Sequence, residues 1–279
     1  MGSMGVSMRV WRHAKSPTSA MPPIRQTMVG LFAWRQTRIE TPMLPMGVIL
    51  DRARGGSFLS ILIAAASMFA TFFFLTFYLQ QVHGYTPVRA GLAFLPMIVV
   101  LSATAATSST KLLPRFGPRP LVVTGMALGT GGMVILAQLT VTSSYATHVL
   151  PGLLVLGMAM GLVFATSMNT ATARVQPEYA GSASATVNVT QQVGGSIGTA
   201  LLSTVAIAAT IAVVAPENIS HPTPALVKEF NLAAQVHGYT TAFWWAAALF
   251  GIGTIVAAAV LPSGRPERVV AEPELVAAV

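Results

Sequence analysis

The chain has 279 residues, of which 53% are hydrophobic and only 9% charged, and its mean hydropathy is +0.67. A soluble domain carries about a quarter charged residues, so this composition excludes an ordinary water-soluble globule and points to an integral membrane protein. The absence of cysteine excludes disulfides, a thiol nucleophile and any Cys-bearing metal site, and the net charge of +8 sits in loops and the N-terminal arm, where lipid headgroups and topology account for it without nucleic acid.

Residues 1–54 hold Arg9, Arg12, Lys15, Arg25, Arg35, Arg38, Arg52 and Arg54 against only Glu40 and Asp51, with prolines at 17, 22, 23, 42 and 45. Their longest apolar run, Thr27 to Trp34, is too short for a secretory core or a span. This segment reads as a basic cytoplasmic arm. A transit-like targeting segment and a lipid-surface helix are the alternatives, and the prolines count against the amphipathic one.

Downstream, the charges themselves divide the chain, because a Lys or Arg at mid-membrane costs about 2.5 kcal/mol or more. Residues 55–263 contain six uncharged stretches long enough to cross a bilayer, at 56–79, 90–110, 121–139, 149–170, 186–214 and 239–261. The last residues, 264–279, form a tail. The expected fold is an all-α membrane protein of six transmembrane helices, with both ends on one side. Lys and Arg in the short loops assign that side: Arg52, Arg54, Lys111, Arg115, Arg119, Arg174, Arg265 and Arg268 fall on one face and only Arg89 and Lys228 on the other. The positive-inside rule then places both termini in the cytoplasm of a multi-pass cell-membrane protein.

Glycines four apart recur inside the spans: Gly125 with Gly129, Gly157 with Gly161, and Gly194 with Gly198. Such pairs let helix backbones approach closely where lipid supplies no hydrophobic drive, so they read as helix-packing sites.

Three stretches carry a resemblance to a known family: Phe77-Tyr-Leu-Gln-Gln-Val-His-Gly-Tyr-Thr-Pro-Val-Arg-Ala-Gly-Leu-Ala-Phe-Leu-Pro96; the basic turn Arg115-Phe-Gly-Pro-Arg-Pro120; and Gly181 with Asn188, followed by Gln191-Gln-Val-Gly-Gly-Ser-Ile-Gly-Thr-Ala200. In this order they resemble the C-terminal half of a major facilitator superfamily transporter, in the fourteen-span drug:proton antiporter branch of EmrB/QacA type. The resemblance implies half of a transporter bundle that moves small amphipathic or cationic compounds by alternating access. It implies no catalytic residue, no cofactor and no metal. Membrane lipid, the transported small molecule, and a missing N-terminal half or a second copy are the implied partners. A non-transporting half that modulates a partner is the competing reading.

The resemblance also assigns candidate sites. Arg115, Gly117 and Arg119 would form a gating turn, unless the turn is topogenic only. The first and fourth spans would line the cavity with Ser67, Thr71, Phe72, Thr76 and Gln80, and with Met158, Phe164, Ser167, Met168 and Asn169. Asn188, Gln191 and Gln192 join them, since an amide within a span wants a partner. All eight acidic residues fall in loops or tails on this assignment, so a proton-carrying carboxylate is expected on the other half.

Two further patterns stand apart. Gln81-Val-His-Gly-Tyr-Thr86 recurs as Gln235-Val-His-Gly-Tyr-Thr240, read here as two external turns ahead of spans. Its His83 and His237 would sense pH, or the repeat is an interfacial turn with a belt Tyr. Gly194-Gly-Ser-Ile-Gly198 fits the hydrolase pattern G-x-S-x-G, but Ser196 lies in an apolar helix with no His placed to activate it, which rejects an enzyme reading.

Overall fold

A segment crossing hydrocarbon must satisfy every backbone N–H and C=O within itself, which leaves the helix as the only outcome for the long uncharged runs of this chain. The computed structural model describes residues 52–173, 175, 180–214 and 224–262, all within one compact unit, and the basic arm, Arg174, Glu178, Glu217, His221 and the tail from 263 lie outside the described residues. The order of elements is α1 (Arg52–Gln81), α2 (Pro87–Ala93), α3 (Leu95–Thr107), α4 (Leu113–Phe116), α5 (Pro118–Leu136), α6 (Leu150–Thr172), α7 (Ala180–Val214) and α8 (Pro224–Val260), with no strand among the described residues. Six stretches are long and apolar enough to cross a membrane: Ala53–Gln81, Pro87–Phe116, Pro118–Leu136, Tyr145–Thr172, Ala180–Val213 and Leu226–Val260.

Proline shapes the joints. Two π-helical turns, Ser108–Leu112 and Tyr145–Val149, each end two residues before a proline, Pro114 and Pro151. Each proline lacks the N–H that would bond four residues back and its ring crowds that carbonyl, so the preceding turn widens instead of closing at the α pitch.

In the bundle, α1 packs against α6, α7 and α8; α6 also holds α3 and α5; and α8 lies on α5 and α7. The first and fourth spans are each 61% buried, whereas the second and fifth are only 22% and 17% buried and turn most of their surface outward. The largest fully buried side chains include Tyr78, Phe243, Phe250, Met126, Met133 and Leu153. Some polar groups within the bundle are bridged: the Tyr78 hydroxyl donates to Thr140 O at 2.7 Å, and the Ser108 and Thr166 hydroxyls share a buried bond at 2.9 Å.

Small residues set the closest approaches. A Cβ at Gly157 would meet Met97 O at 2.6 Å, and one at Gly161 would meet Leu101 O at 2.7 Å, both on the second span. Cβ atoms at Gly194 and Gly198 would collide with the backbone of Leu62 and Ala66 on α1. Gly125 and Gly129 serve two partners, the first facing Val163 and Ala159 of α6 and the second the ring of Phe250 on α8.

The last helix differs from the span read in the sequence, which began near Tyr239. It starts at Pro224, so Lys228 and Glu229 lie in its second turn rather than in a loop. At about 1.5 Å per residue its 37 residues reach about 55 Å, well beyond a hydrocarbon core of about 30 Å, and the extra turns carry these charges out of the apolar layer.

The repeated hexapeptide takes two conformations. Gln81–Thr86 leaves α1 and turns, with Gly84 at φ +63°, whereas Gln235–Thr240 is helix throughout. The residue that follows decides between them. Pro87 pushes Thr86 into extended backbone (φ −64°, ψ 157°), where its side chain caps α2 by accepting from Arg89 N at 3.3 Å. Thr240 is followed by Thr241 and Ala242, which continue the helix.

Candidate functional site

At the end of the bundle that carries Lys111, the chain passes from α4 to α5 through Gly117, which is buried with φ +80° and ψ 175°, a conformation open only to glycine. Its N–H donates to Leu113 O at 3.0 Å, which closes α4, while Pro118 opens α5. Arg115 is exposed with its guanidinium 5.5 Å from the Phe116 ring centroid, and Arg119 is half-buried. Neither forms an ion pair with a carboxylate among the described residues. Sequence reading did not single out Arg54, whose guanidinium donates to Ala173 O at 3.1 Å, at the C-terminal end of α6. A cation there meets the negative end of the helix dipole and ties the first span to the fourth.

The residues read as cavity lining do not converge. Thr71 is buried, donates to Ser67 O at 2.7 Å and faces Met133 S at 3.4 Å. With Phe72, Met68, Phe94, Met97 and Met160 it borders a slit of about 10 Å³, too small for any substrate. Thr76 donates to the carbonyl of Phe72, Gln80 is half-buried, and Phe164 packs into the core. Ser67 and Ser167 are buried with unpartnered hydroxyls. Met158 and Met168 are exposed, and Asn169 donates to Ser109 Oγ at 3.0 Å near the end of α6. Asn188 and Gln192 lie on the outward surface of α7 and Gln191 is half-buried there.

A larger hollow lies toward the opposite end, where α1, α7 and α8 diverge. Gly194 and Gly198 press α7 onto α1, and Gly238 sets α8 against Thr210 and Ala206 of α7, so a space of about 360 Å³ is left between these contacts. Its wall is aromatic and aliphatic. Phe73 and Phe77 stack edge-on at 4.9 Å, Phe74 lies 5.8 Å from Tyr239, and Ile207 and Ile211 close the far side. Polar residues also line it: Gln81 and Ser203, which have no partner among the described residues, Thr210, whose hydroxyl donates to Ala206 O at 2.8 Å, and Gln235, whose Oε1 accepts from Tyr239 OH at 3.3 Å. An adjoining hollow of about 470 Å³ shares Gln81 and Gln235 and adds Lys228, Asn231 and Leu232. An apolar wall with a few convergent polar groups is the general form of a small-molecule site. Sequence reading flagged Gln81 and Gln235 through the repeat but assigned them no contact with each other or with a ligand.

Beside this end sits the first copy of the repeat. His83 lies 5.5 Å from both Tyr78 and Tyr85, and Arg89 covers the Tyr85 ring at 4.1 Å. Burial, and then the charge of Arg89, hold the His83 pKa below its ordinary value, and its Nε2 is buried without a partner. His237, in the helical copy, is exposed on α8. The described residues contain no group of three or more His, Asp or Glu that would hold a metal ion.

Comparison with known proteins supplies independent information. Residues 4–199 match the model of the Major Facilitator Superfamily. The puromycin resistance protein pur8 of Streptomyces alboniger is 40% identical over 236 residues, covering 84% of this chain and 44% of that protein. The cephamycin export protein CmcT of Amycolatopsis lactamdurans is 30% identical over 73% of this chain and 42% of its own length. The multidrug efflux pump LfrA of Mycolicibacterium smegmatis is 34% identical over 63% of this chain and 34% of its own. The chain thus spans less than half the length of the curated relatives it matches.

Proposed function

The chain belongs to the Major Facilitator Superfamily, and from that premise we propose that it forms one half of a drug-exporting transporter, equivalent to the C-terminal half in the fourteen-span drug:proton antiporter branch. The observation that carries this reading is the groove between α1, α7 and α8, an aromatic and aliphatic hollow of about 360 Å³ with unpartnered amide and hydroxyl groups on its wall. Such a wall accepts amphipathic molecules of varied shape through area and supplies a few polar contacts for orientation.

In this reading the protein is a multi-pass protein of the cell membrane with both termini in the cytoplasm, and the groove opens toward the external end. The outward surfaces of the second and fifth spans are the faces on which the other half, or a second copy, would close the central cavity. Thr71, Phe72, Thr76, Gln80, Phe164, Met168, Asn169, Asn188, Gln191 and Gln192 would contribute only where that second half converts their surfaces into walls. The turn at Arg115, Gly117 and Arg119 would be the gating element, and the glycine pairs 125/129, 157/161 and 194/198 the contacts along which spans pack. The one carboxylate among the described residues, Glu229, stands at the start of the sixth span, Leu226–Val260, in the turns of α8 that exceed a bilayer crossing, and in this reading the proton carrier of a complete antiporter lies on the other half.

Reconstitution tests the reading. The chain is placed in proteoliposomes, alone and with the other half, under an imposed pH gradient, beside variants carrying Phe77→Ala with Tyr239→Ala and Arg115→Ala with Arg119→Ala. Efflux of a lipophilic probe that appears only with both halves and falls in the groove variant is the expected outcome. Unchanged flux in the arginine variant would remove the gating role. Unchanged flux in the groove variant would remove the site. Absence of flux from the well-inserted pair would favour a non-transporting role.

A further inference from the structure

We infer that the groove and its neighbour form one bipartite site for an amphipathic anion, an apolar body ending in a carboxylate or phosphate, in preference to a lipophilic cation. The inference rests on the reading of the groove as a binding site and names the class of molecule it takes. The two hollows share Gln81 and Gln235, so they are compartments of one space, about 360 Å³ with an aromatic wall and about 470 Å³ with a polar one.

The polar compartment combines one positive charge with three side-chain amides. Among the described residues that line either hollow Lys228 is the only charged one, and it supplies three N–H donors and no acceptor. Gln235, which lines both hollows, has its Oε1 engaged by the Tyr239 hydroxyl, and its NH2 has no partner among the described residues. Gln81 and Asn231 add two amides with no partner among the described residues. Glu229 follows Lys228 in α8 but lines neither hollow, being about 100° further round the helix. A carboxylate or phosphate offers acceptors to Lys228 and to the amide NH2 groups, whereas a quaternary ammonium would meet Lys228 with no carboxylate among the described lining residues to offset it.

The two copies of one hexapeptide, though different in conformation, meet at one place. The turn copy ends α1 at Gln81, and the helical copy carries Gln235 one turn below Tyr239, so the same first residue reaches the junction of the two compartments from both sides.

The test uses the full chain in an uncharged detergent and three probes with one fluorophore and alkyl body, ending in a carboxylate, a methyl ester or a trimethylammonium group. The carboxylate probe should bind about tenfold more tightly than the other two, the worth of one charge-assisted hydrogen bond. Lys228→Gln should abolish that preference while leaving ester binding unchanged, and Lys228→Glu should reverse it toward the cation. Tyr239→Ala should weaken all three alike. If the trimethylammonium probe binds as tightly as the carboxylate and Lys228→Gln changes neither, the anion preference is overturned while the groove stands. If no probe responds to Tyr239→Ala, the groove itself fails as a site. Phosphatidylglycerol added against phosphatidylcholine then separates the sources of the anion: Lys228-dependent displacement of the carboxylate probe identifies a lipid headgroup, and its absence a soluble amphiphile, both consistent with the inference.

Discussion

Replacing Gly161 by alanine tests the packing of the second span on the fourth more sharply than any larger change. The added Cβ would lie 2.7 Å from Leu101 O and from Thr104 Cβ, and 3.0 Å from Ala105 N. Two of these are backbone atoms of a helix, which cannot rotate away as a side-chain end would. Ordinary contact begins near 3.4 Å, so α3 must retreat by about 0.7 Å over this turn. Overpacking of this kind costs about 1–3 kcal/mol, against which alanine gains about 1 kcal/mol of helix propensity. The control is Gly131→Ala, where no atom lies within 4 Å and only the propensity gain remains. The two variants should therefore differ by about 1–3 kcal/mol, or about 2–10 °C in thermal unfolding in detergent, with Gly131→Ala the more stable. Adding Gly157→Ala to Gly161→Ala should cost less than it does alone, since the first displacement makes room for the second. A Gly161→Ala protein that melts with or above Gly131→Ala would refute the close backbone approach.

Other substitutions probe the turns. Thr86→Ala removes the cap of α2 and should lower stability by about 1 kcal/mol, while Thr240→Ala, in the helical copy of the same hexapeptide, should be neutral or raise it by up to about 0.5 kcal/mol; thermal unfolding of the two side by side is the measurement. Gly117→Ala forces a Cβ into a backbone region reserved for glycine and should cost about 1–3 kcal/mol while the protein still inserts, as urea extraction of membranes would show. Acidification should act through His83: its folded pKa lies below the ordinary 6.5, so above that value both states are neutral and stability is full, and as pH falls through it the unfolded chain takes up the proton first and stability is lost. Melting between about pH 7.5 and 5.5 should therefore fall further in the parent chain than in His83→Gln, and equal falls would exclude His83 as the group responsible.

How much of the fold was legible follows from what a charge does in hydrocarbon. Most of the spans were visible because Arg89, Lys111, Arg119 and their like cannot sit at mid-depth, while the third and fourth share one uncharged run from Arg119 to Arg174 and were separated by its polar stretch Thr140 to His148 and Pro151. Their ends were not visible for the same reason, since charge forbids the membrane interior but not the helix. Lys228 and Glu229 sit comfortably in α8 once it projects into water, and Lys111 lies within a π-helical turn. The hexapeptide shows the limit of local reading: Gln-Val-His-Gly-Tyr-Thr has no conformation of its own, and Pro87 at one copy and Thr241 at the other settle the outcome from outside it.

The candidate site was less legible because it is a property of divergence rather than of any one helix. Phe73 and Phe77 lie in the first uncharged run, Ser203 and Thr210 in the fifth, and Gln81 and Gln235, read as turn residues, stand 154 positions apart. What joins them is the alternation of close and open contacts along α7. Gly194 and Gly198 bring it against α1, Gly238 brings α8 against it at Thr210, and between those points Ala206, Ile207 and Ser203 stand where a tighter pair of helices would have met. Gly194 and Gly198 were read in the sequence as helix-packing glycines, and Gly238 only as part of a turn. Read as fixed points from which helices must splay, glycines on different partners also locate the hollow between them. By this logic, filling the hollow from its exposed wall, with Ile207→Trp, should block ligand access while leaving the glycine contacts and the fold intact: probe binding should be lost with unfolding unchanged, and retained binding would show that the ligand lies elsewhere.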